Sequence, residues 1–234
     1  MARLGRYFLE GQPLHVIQRG NNRQPIFFSR QDALDFLAWL GEAADRHGLK
    51  IHSYVLMPNH VHLLASPDQA DSLPRTMQSL GRRYVRHINM RHQRTGTLWE
   101  GRYRATVVET EHYFLHCSRY IELNPVRAKL AADPASYPWS SYRANALGEV
   151  DALITRHSVF ADLDPQVYSA AFADGLPAET LAVIRNATNS GWPLGDEKFR
   201  EHIASLGGRR TQPLPRGRPK RTADVSAPSR PFLE

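Results

Sequence analysis

The chain has 234 residues and a formal net charge of +7, enough length to bury one substantial core without a covalent staple. Its single cysteine, Cys117, excludes an internal disulfide framework and a cysteine-rich zinc ribbon. No uncharged run of about 18 residues occurs, which excludes a helical membrane span and leaves a soluble, unexported protein as the expectation.

A pI near 9.8 points toward polyanionic partners. From Arg209 to the end, seven basic residues stand against Asp224 and Glu234, so this stretch carries +5 of the +7. The preceding body is only mildly basic, and any nucleic-acid surface on it must come from local clustering.

In chain order, Leu14 to Arg19 predicts a short strand, ended by the turn signal Gly20-Asn21-Asn22. Ser29 caps a following helix with Asp32 near its positive end, and Leu34, Leu37, Leu40 and Ala44 recur at helical spacing up to a stop near Gly48. Lys50 to Met57 is the next strand. Pro58-Asn59 reverses the chain, and His60 to Ser66 returns as the hairpin partner.

Leu73, Met77, Leu80, Tyr84 and Ile88 then form an apolar stripe on a helix reaching about Arg94. Arg75, Arg82 and Arg86 share its opposite side, which is either a solvated face or a track for phosphates. Trp99-Glu100-Gly101-Arg102-Tyr103-Arg104 mixes aromatics with arginines in a way that suits base stacking and phosphate holding. Ala105 to Glu109 reads as a last strand. Thr110 caps a helix running to Asn124, where Pro125 forces the preceding residue out of helical geometry.

This order predicts the α+β class: a ferredoxin-like split βαβ sandwich, an antiparallel sheet with helices on one face, over residues 1–145. Residues 146–206 form a C-terminal helical extension, its small helices broken by Asp164-Pro165, Gly175-Leu176-Pro177 and Gly191-Trp192-Pro193. Residues 207–234, dominated by glycine, proline and arginine, form a disordered basic tail.

Two histidines one residue apart on a strand point to the same side, so His60 and His62 can grip one ion while Val61 and Leu63 face a core. On the helix from Thr110, Tyr113, Cys117, Tyr120 and Asn124 share one face. If that face meets the histidines, two imidazoles and an amide oxygen would bind a divalent cation, Mg2+ or Mn2+, beside a phenol. Otherwise Tyr120 is a core aromatic and Asn124 a helix-ending residue. A tyrosine is only about one part in a thousand phenolate at neutral pH, a deficit of about 4 kcal/mol that a Lewis acid on a scissile phosphate can offset. Attack leaves a covalent phosphotyrosine and needs no ATP; no Gly-x-x-x-x-Gly-Lys loop is present to hold a nucleotide.

Five stretches carry a family resemblance: His15-Val16-Ile17-Gln18-Arg19-Gly20-Asn21; Met57-Pro58-Asn59-His60-Val61-His62-Leu63-Leu64; Trp99-Glu100-Gly101-Arg102-Tyr103-Arg104-Ala105; Tyr120-Ile121-Glu122-Leu123-Asn124-Pro125-Val126-Arg127-Ala128; and Tyr137-Pro138-Trp139-Ser140-Ser141-Tyr142. Together they resemble the IS200-like single-tyrosine transposases with a His-hydrophobic-His motif, and within them the REP-associated tyrosine transposases. The resemblance implies a metal-dependent endonuclease and strand transferase acting on single-stranded DNA hairpins of repetitive extragenic palindromes. It implies Tyr120 as the nucleophile joined to the 5′-phosphate, His60 and His62 as the metal pair, and Asn124 as the ligand one turn beyond the tyrosine. A monomer in the cytoplasm, associated with the nucleoid, goes with it.

The expected DNA contacts are Arg19, Arg82, Arg86, Arg102 and Arg104 in the body and Arg216, Arg218 and Lys220 in the tail, where Arg-Gly-Arg-Pro resembles an AT-hook for A·T-rich duplex. A solvated basic tail is the other reading. The segment 146–206 is either a reader of DNA ends or a stabilising flank. A histidine-triad hydrolase would want a histidine at Leu64, which counts against that rival. A transposase-derived protein that binds hairpins without catalysis is the remaining alternative.

Overall fold

Four strands, β1 (Leu14–Arg19), β2 (Leu49–Met57), β3 (His60–Pro67) and β4 (Arg104–Val107), pair antiparallel in the order β2-β3-β1-β4 in the computed structural model, which describes residues 9–161, 163–207 and 211. α1 (Arg30–His47) joins β1 to β2, and α2 (Ser72–Arg91) joins β3 to β4. This is the ferredoxin-like arrangement expected from the sequence. Ser29 and Asp32 form a reciprocal capping box at the start of α1, and Gly48 ends it in the left-handed conformation at φ 67°.

α1 buries Ala33, Phe36, Leu40, Ala43 and Ala44, whereas Leu34 of the expected stripe is 42% exposed. Two neighbouring stripes fit the helical period, and the Phe36 ring, 4.9 Å from that of Tyr84 on α2, selects the one that packs. The α2 stripe is buried from Leu73 through Ile88 as its spacing required. Both helices cover one face of the sheet and meet Val61, Leu63 and Ala65 there.

The opposite face is covered as well, which corrects the expectation of helices on one side only. α3 (Thr110–Glu122), the single turn α4 (Asn124–Arg127), α5 (Tyr142–Leu147), α6 (Pro165–Ala170) and α7 (Ala178–Ser190) follow β4. Phe114, Ile121, Tyr142, Phe160, Tyr168, Phe172 and Ile184 build a second core against Val55, Met57 and Leu64. The reason is the strands themselves: besides the side chains they give to the first core, β2 sends Val55 and Met57 and β3 sends Leu64 to this face, and these cannot be left to water. α8 (Glu197–Gly207) returns to the first core through Ile203.

Three local expectations shift. Thr110 is the first residue of α3 rather than its cap, and Glu109 stands at the cap position without a side-chain bond to the helix's first N–H groups. Pro125 lies in the first turn of α4, where its missing N–H costs nothing, so Asn124 opens a further helical turn instead of leaving helical geometry. The last strand ends at Val107, and Leu194 closes its outer edge: its N–H donates to Val107 O at 2.7 Å and its carbonyl accepts from Glu109 N at 2.8 Å. The β2 edge is closed in the same way by residues 139–141, with Leu56 N to Trp139 O at 2.8 Å and Ser141 N to Tyr54 O at 3.0 Å. No described helix is long and apolar enough to cross a membrane.

Gly20 sets how the end of β1 meets the hairpin turn. Its N–H donates to Asn59 O at 2.9 Å, and a Cβ there would lie 2.3 Å from Gln24 O and 2.8 Å from Ile26 Cγ2. Gly20→Ala therefore forces the backbone to move, and urea unfolding is expected to show a loss of about 1–3 kcal/mol; unchanged stability would mean that the turn yields freely.

Candidate active site

Strand pairing places His60, His62 and Leu64 of β3, and His15, Ile17 and Arg19 of β1, on the face covered by α3. Arg19 lies opposite His60 and Ile17 opposite His62. The rings of His60 and His62 are 5.0 Å apart between centroids. The phenol ring of Tyr120 stands edge-on to both buried imidazoles of this row, 5.9 Å from His62 and 5.7 Å from His15. Tyr120 is itself 8% exposed. The structure thus brings the nucleophile candidate and the histidine pair together.

Donor counting shows which nitrogens are left. Asn59 Nδ2 donates to Arg23 O at 2.9 Å, so its Oδ1 faces His60 and accepts from His60 Nδ1 at 2.6 Å. The lone pair of His60 then sits on Nε2. Nδ1 of His62 is likewise engaged, 2.8 Å from His15 Nε2. Burial lowers His15 to about 3 and His60 to about 4, and holds His62 well below its ordinary 6.5. All three are neutral at neutral pH, the state in which imidazole offers a lone pair rather than a charge.

Asn124 stands one turn beyond Tyr120. Its Nδ2 donates to Tyr120 O at 3.1 Å and Ile121 O at 3.3 Å, which leaves Oδ1 as its acceptor. Among the described residues no three His, Cys, Asp or Glu side chains cluster as a metal-binding group. Two imidazole nitrogens with one amide oxygen make an incomplete donor set, and such a set fits a divalent ion that takes its remaining ligands from phosphate oxygens and water.

Two residues at this site were not singled out from the sequence. His15 alternates with Ile17 and Arg19 on β1, a pattern visible in the sequence, yet only pairing with β3 shows that it stands beside His62. Arg127 lies over the Tyr120 ring at 4.0 Å and donates from Nη2 to Tyr120 O at 3.1 Å. Its Nη1 is buried with no partner among the described residues. Ending the helix at Pro125 hid it, because α4 is what carries Arg127 back onto the tyrosine.

The expected DNA contacts divide by face. Arg19 lies beside His60, and Arg104, opposite Ile17, shares that face and donates from Nη1 to Asn189 O at 3.1 Å. Arg82 and Arg86 line an open groove of about 1060 Å3 on the outside of α2, across the sheet from the histidines. Arg102 lines a separate cavity of about 330 Å3 with Gln18, Phe36, Met77, Trp99 and Tyr103. Arg216, Arg218, Lys220 and the hook-like sequence lie outside the described residues.

Between Tyr120 and Asn124, Glu122 is buried beneath α3. Ser141 Oγ and Asn145 Nδ2 donate to its Oε1 at 2.6 and 2.7 Å, and Tyr168 Oη donates to its Oε2 at 2.9 Å. These bonds tie the turn bearing the tyrosine to α5 and α6. Desolvation outweighs the three donors and pushes the carboxyl up to about 7.

A family model described as IS200-like transposase matches residues 10–124, which contain His60, His62, Tyr120 and Asn124. A solved REP-associated tyrosine transposase bound to a REP hairpin is similar over 68% of this chain and 96% of its own, at 16% identity and a TM-score of 0.55; that identity establishes a shared fold. A candidate transposase from Deinococcus radiodurans R1 is 24% identical over 52% of this chain and 96% of its own, with a TM-score of 0.36, too low to argue from. No curated protein matches.

Glu122 keeps its proton up to about pH 7 in the folded chain and only to about 4.5 once unfolded. Between those values the folded state binds more protons, so its stability falls as pH rises, by on the order of 3 kcal/mol in total. The depressed histidines act in the opposite direction, costing stability as pH falls below 6.5. Comparison of Glu122→Gln with the parent chain in urea at pH 5 and pH 8 isolates the carboxyl: the variant should gain relative to the parent as pH rises. An offset independent of pH would refute the assignment.

Proposed function

Because residues 10–124 belong to the IS200-like transposase family, we propose that this DNA-processing enzyme cleaves and rejoins single-stranded DNA with Tyr120 as its nucleophile. One observation carries the reading. Tyr120 packs against His62 and His15 at the row that also holds His60, with the Arg127 guanidinium 4.0 Å from its ring. A phenol, a pair of neutral imidazoles and a half-buried cation in one place suit attack on a phosphodiester better than they suit a plain core.

Tyr120 Oη forms a bond to phosphorus as the bond from phosphorus to the 3′ oxygen breaks. The phenol proton passes to solvent, and the departing oxygen takes one up to become a 3′-hydroxyl. The 5′-phosphate stays on Tyr120 as a diester, so the reverse step reseals a strand without an energy source. His60 Nε2, His62 Nε2 and Asn124 Oδ1 would hold Mg2+ or Mn2+, which when bound supplies Lewis-acid polarisation of the scissile phosphate. Arg127 is placed to meet charge on the phosphoryl oxygens, its unpartnered Nη1 being the available donor.

Arg19 and Arg104 flank the histidines and suit the phosphates next to the cut. Arg82, Arg86 and Arg102 reach only a strand that passes round the sheet edge. The relative of like fold was bound to a REP hairpin, and hairpin-bearing single strands are the substrate we assign here.

Incubating the full-length protein with a labelled hairpin-bearing single strand and Mn2+ should give a protein–DNA adduct that survives denaturation and vanishes in Tyr120→Phe. In His60→Ala or His62→Ala, cleavage should fall by at least about 100-fold with hairpin affinity largely kept, since phosphate and base contacts dominate binding. Tight binding by the parent chain with no adduct in either Mg2+ or Mn2+ would favour a non-catalytic hairpin binder instead.

A further inference from the structure

His60 and His62 have their Nδ1 atoms engaged by different means. For His60 the partner is local, the neighbouring Asn59 amide. For His62 it is His15, and an imidazole can donate or accept, so the contact alone leaves the tautomer of His62 open. What closes it stands in α7, part of the helical extension that follows the family-matched segment.

Thr188 of α7 is 2% exposed. Its hydroxyl has one hydrogen, given to Ile184 O at 2.6 Å. Towards His15 Nδ1, at 3.2 Å, the threonine oxygen can therefore only accept, and His15 Nδ1 carries a proton. The 2.8 Å contact between His15 Nε2 and His62 Nδ1 holds one proton between two nitrogens. Neutral His15 has already spent its proton on Nδ1, so His62 Nδ1 is the donor. The lone pair of His62 is thereby placed on Nε2, the same nitrogen that Asn59 leaves open on His60.

We infer that Thr188 is a positioning residue: through His15 it fixes His62 in the Nδ1–H tautomer and keeps Nε2 open for a divalent cation. The inference rests on the reading of His60 and His62 as the metal pair, and it gives the extension a part in building that site. Without the threonine oxygen, His15 loses the acceptor for its Nδ1 proton and can carry that proton on Nε2 instead. His62 Nδ1 must then accept, and the proton of His62 moves to Nε2, where it blocks a cation. His60, fixed by Asn59, does not change.

The test uses the full-length chain, wild type against Thr188→Val, with Thr188→Ser as the conservative variant. In metal-free protein, imidazole nitrogen spectra should show His60 and His62 as Nδ1–H tautomers in the wild type. Thr188→Val should move His62 toward Nε2–H and leave His60 alone. Calorimetric titration with Mn2+ should show affinity reduced by about 10–100-fold in Thr188→Val, and Thr188→Ser should restore both the spectrum and the affinity. A wild-type His62 protonated at Nε2, or a Thr188→Val protein with wild-type tautomers and affinity, would overturn the inference. If the wild-type chain itself takes up no Mn2+ while its tautomers are as stated, the metal reading of the pair fails instead.

Discussion

A strand covered on both faces must send alternate side chains to two different interiors, and β3 is the strand on which this constraint bears. Val61, Leu63 and Ala65 enter the core beneath α1 and α2, while Leu64 joins the second core beneath α3. His60 and His62 take two further positions of that second face, at its open end. A slip of one residue in register would exchange the two sets, sending imidazoles into the apolar core. The hydrophobic pattern that fixes the fold therefore also fixes where the histidines face, and the site inherits its geometry from packing.

The same constraint explains why so many polar groups lie beneath α3. A helix that presents a tyrosine to a histidine row must be held at one depth and one rotation, and apolar contacts alone tolerate small shifts. Directional bonds do not. Glu122 ties the turn of Tyr120 to Ser141, Asn145 and Tyr168, and Ser118 bonds Ser53 of β2 at 2.5 Å. With Arg127 against the tyrosine ring and backbone, the phenol is held from the sheet side, from α4 and from the second layer. Rigid placement matters to the reaction proposed for Tyr120, because a nucleophile misplaced by about 1 Å can lose two orders of magnitude in rate.

Much of this was legible in the sequence, for identifiable reasons. The order of strands and helices followed from local periodicity, and the α2 stripe from Leu73 to Ile88 was correct because one face of that helix is unambiguously apolar. The meeting of Tyr120 with His62 could be posed from the sequence as a question about two faces, and only tertiary structure brings those faces together. What stayed hidden depended on long-range pairing. His15 acquires meaning only beside His62, and Glu122, read in sequence as one polar residue in a motif, is buried by elements that start near residue 140. Arg127 was masked by treating Pro125 as an end, although proline in a first turn begins a helix as readily as it closes one. The second helical layer went unforeseen because its short helices each look weak alone and are stabilised by joint burial against β2 and β3.

Residues 10–124 do not close the second core on their own. Phe160, Tyr168, Phe172, Ile184 and Leu194 complete the cover over Val55, Leu64, Phe114 and Ile121, and the last ladder position beside β4 is filled by Leu194. Cutting the gene at the end of the recognisable signature would leave a protein with one wet flank and an unpaired sheet edge, prone to clump rather than fold. The smallest portion that can be transplanted into another protein as a working part is therefore considerably longer than the stretch by which its kinship is detected.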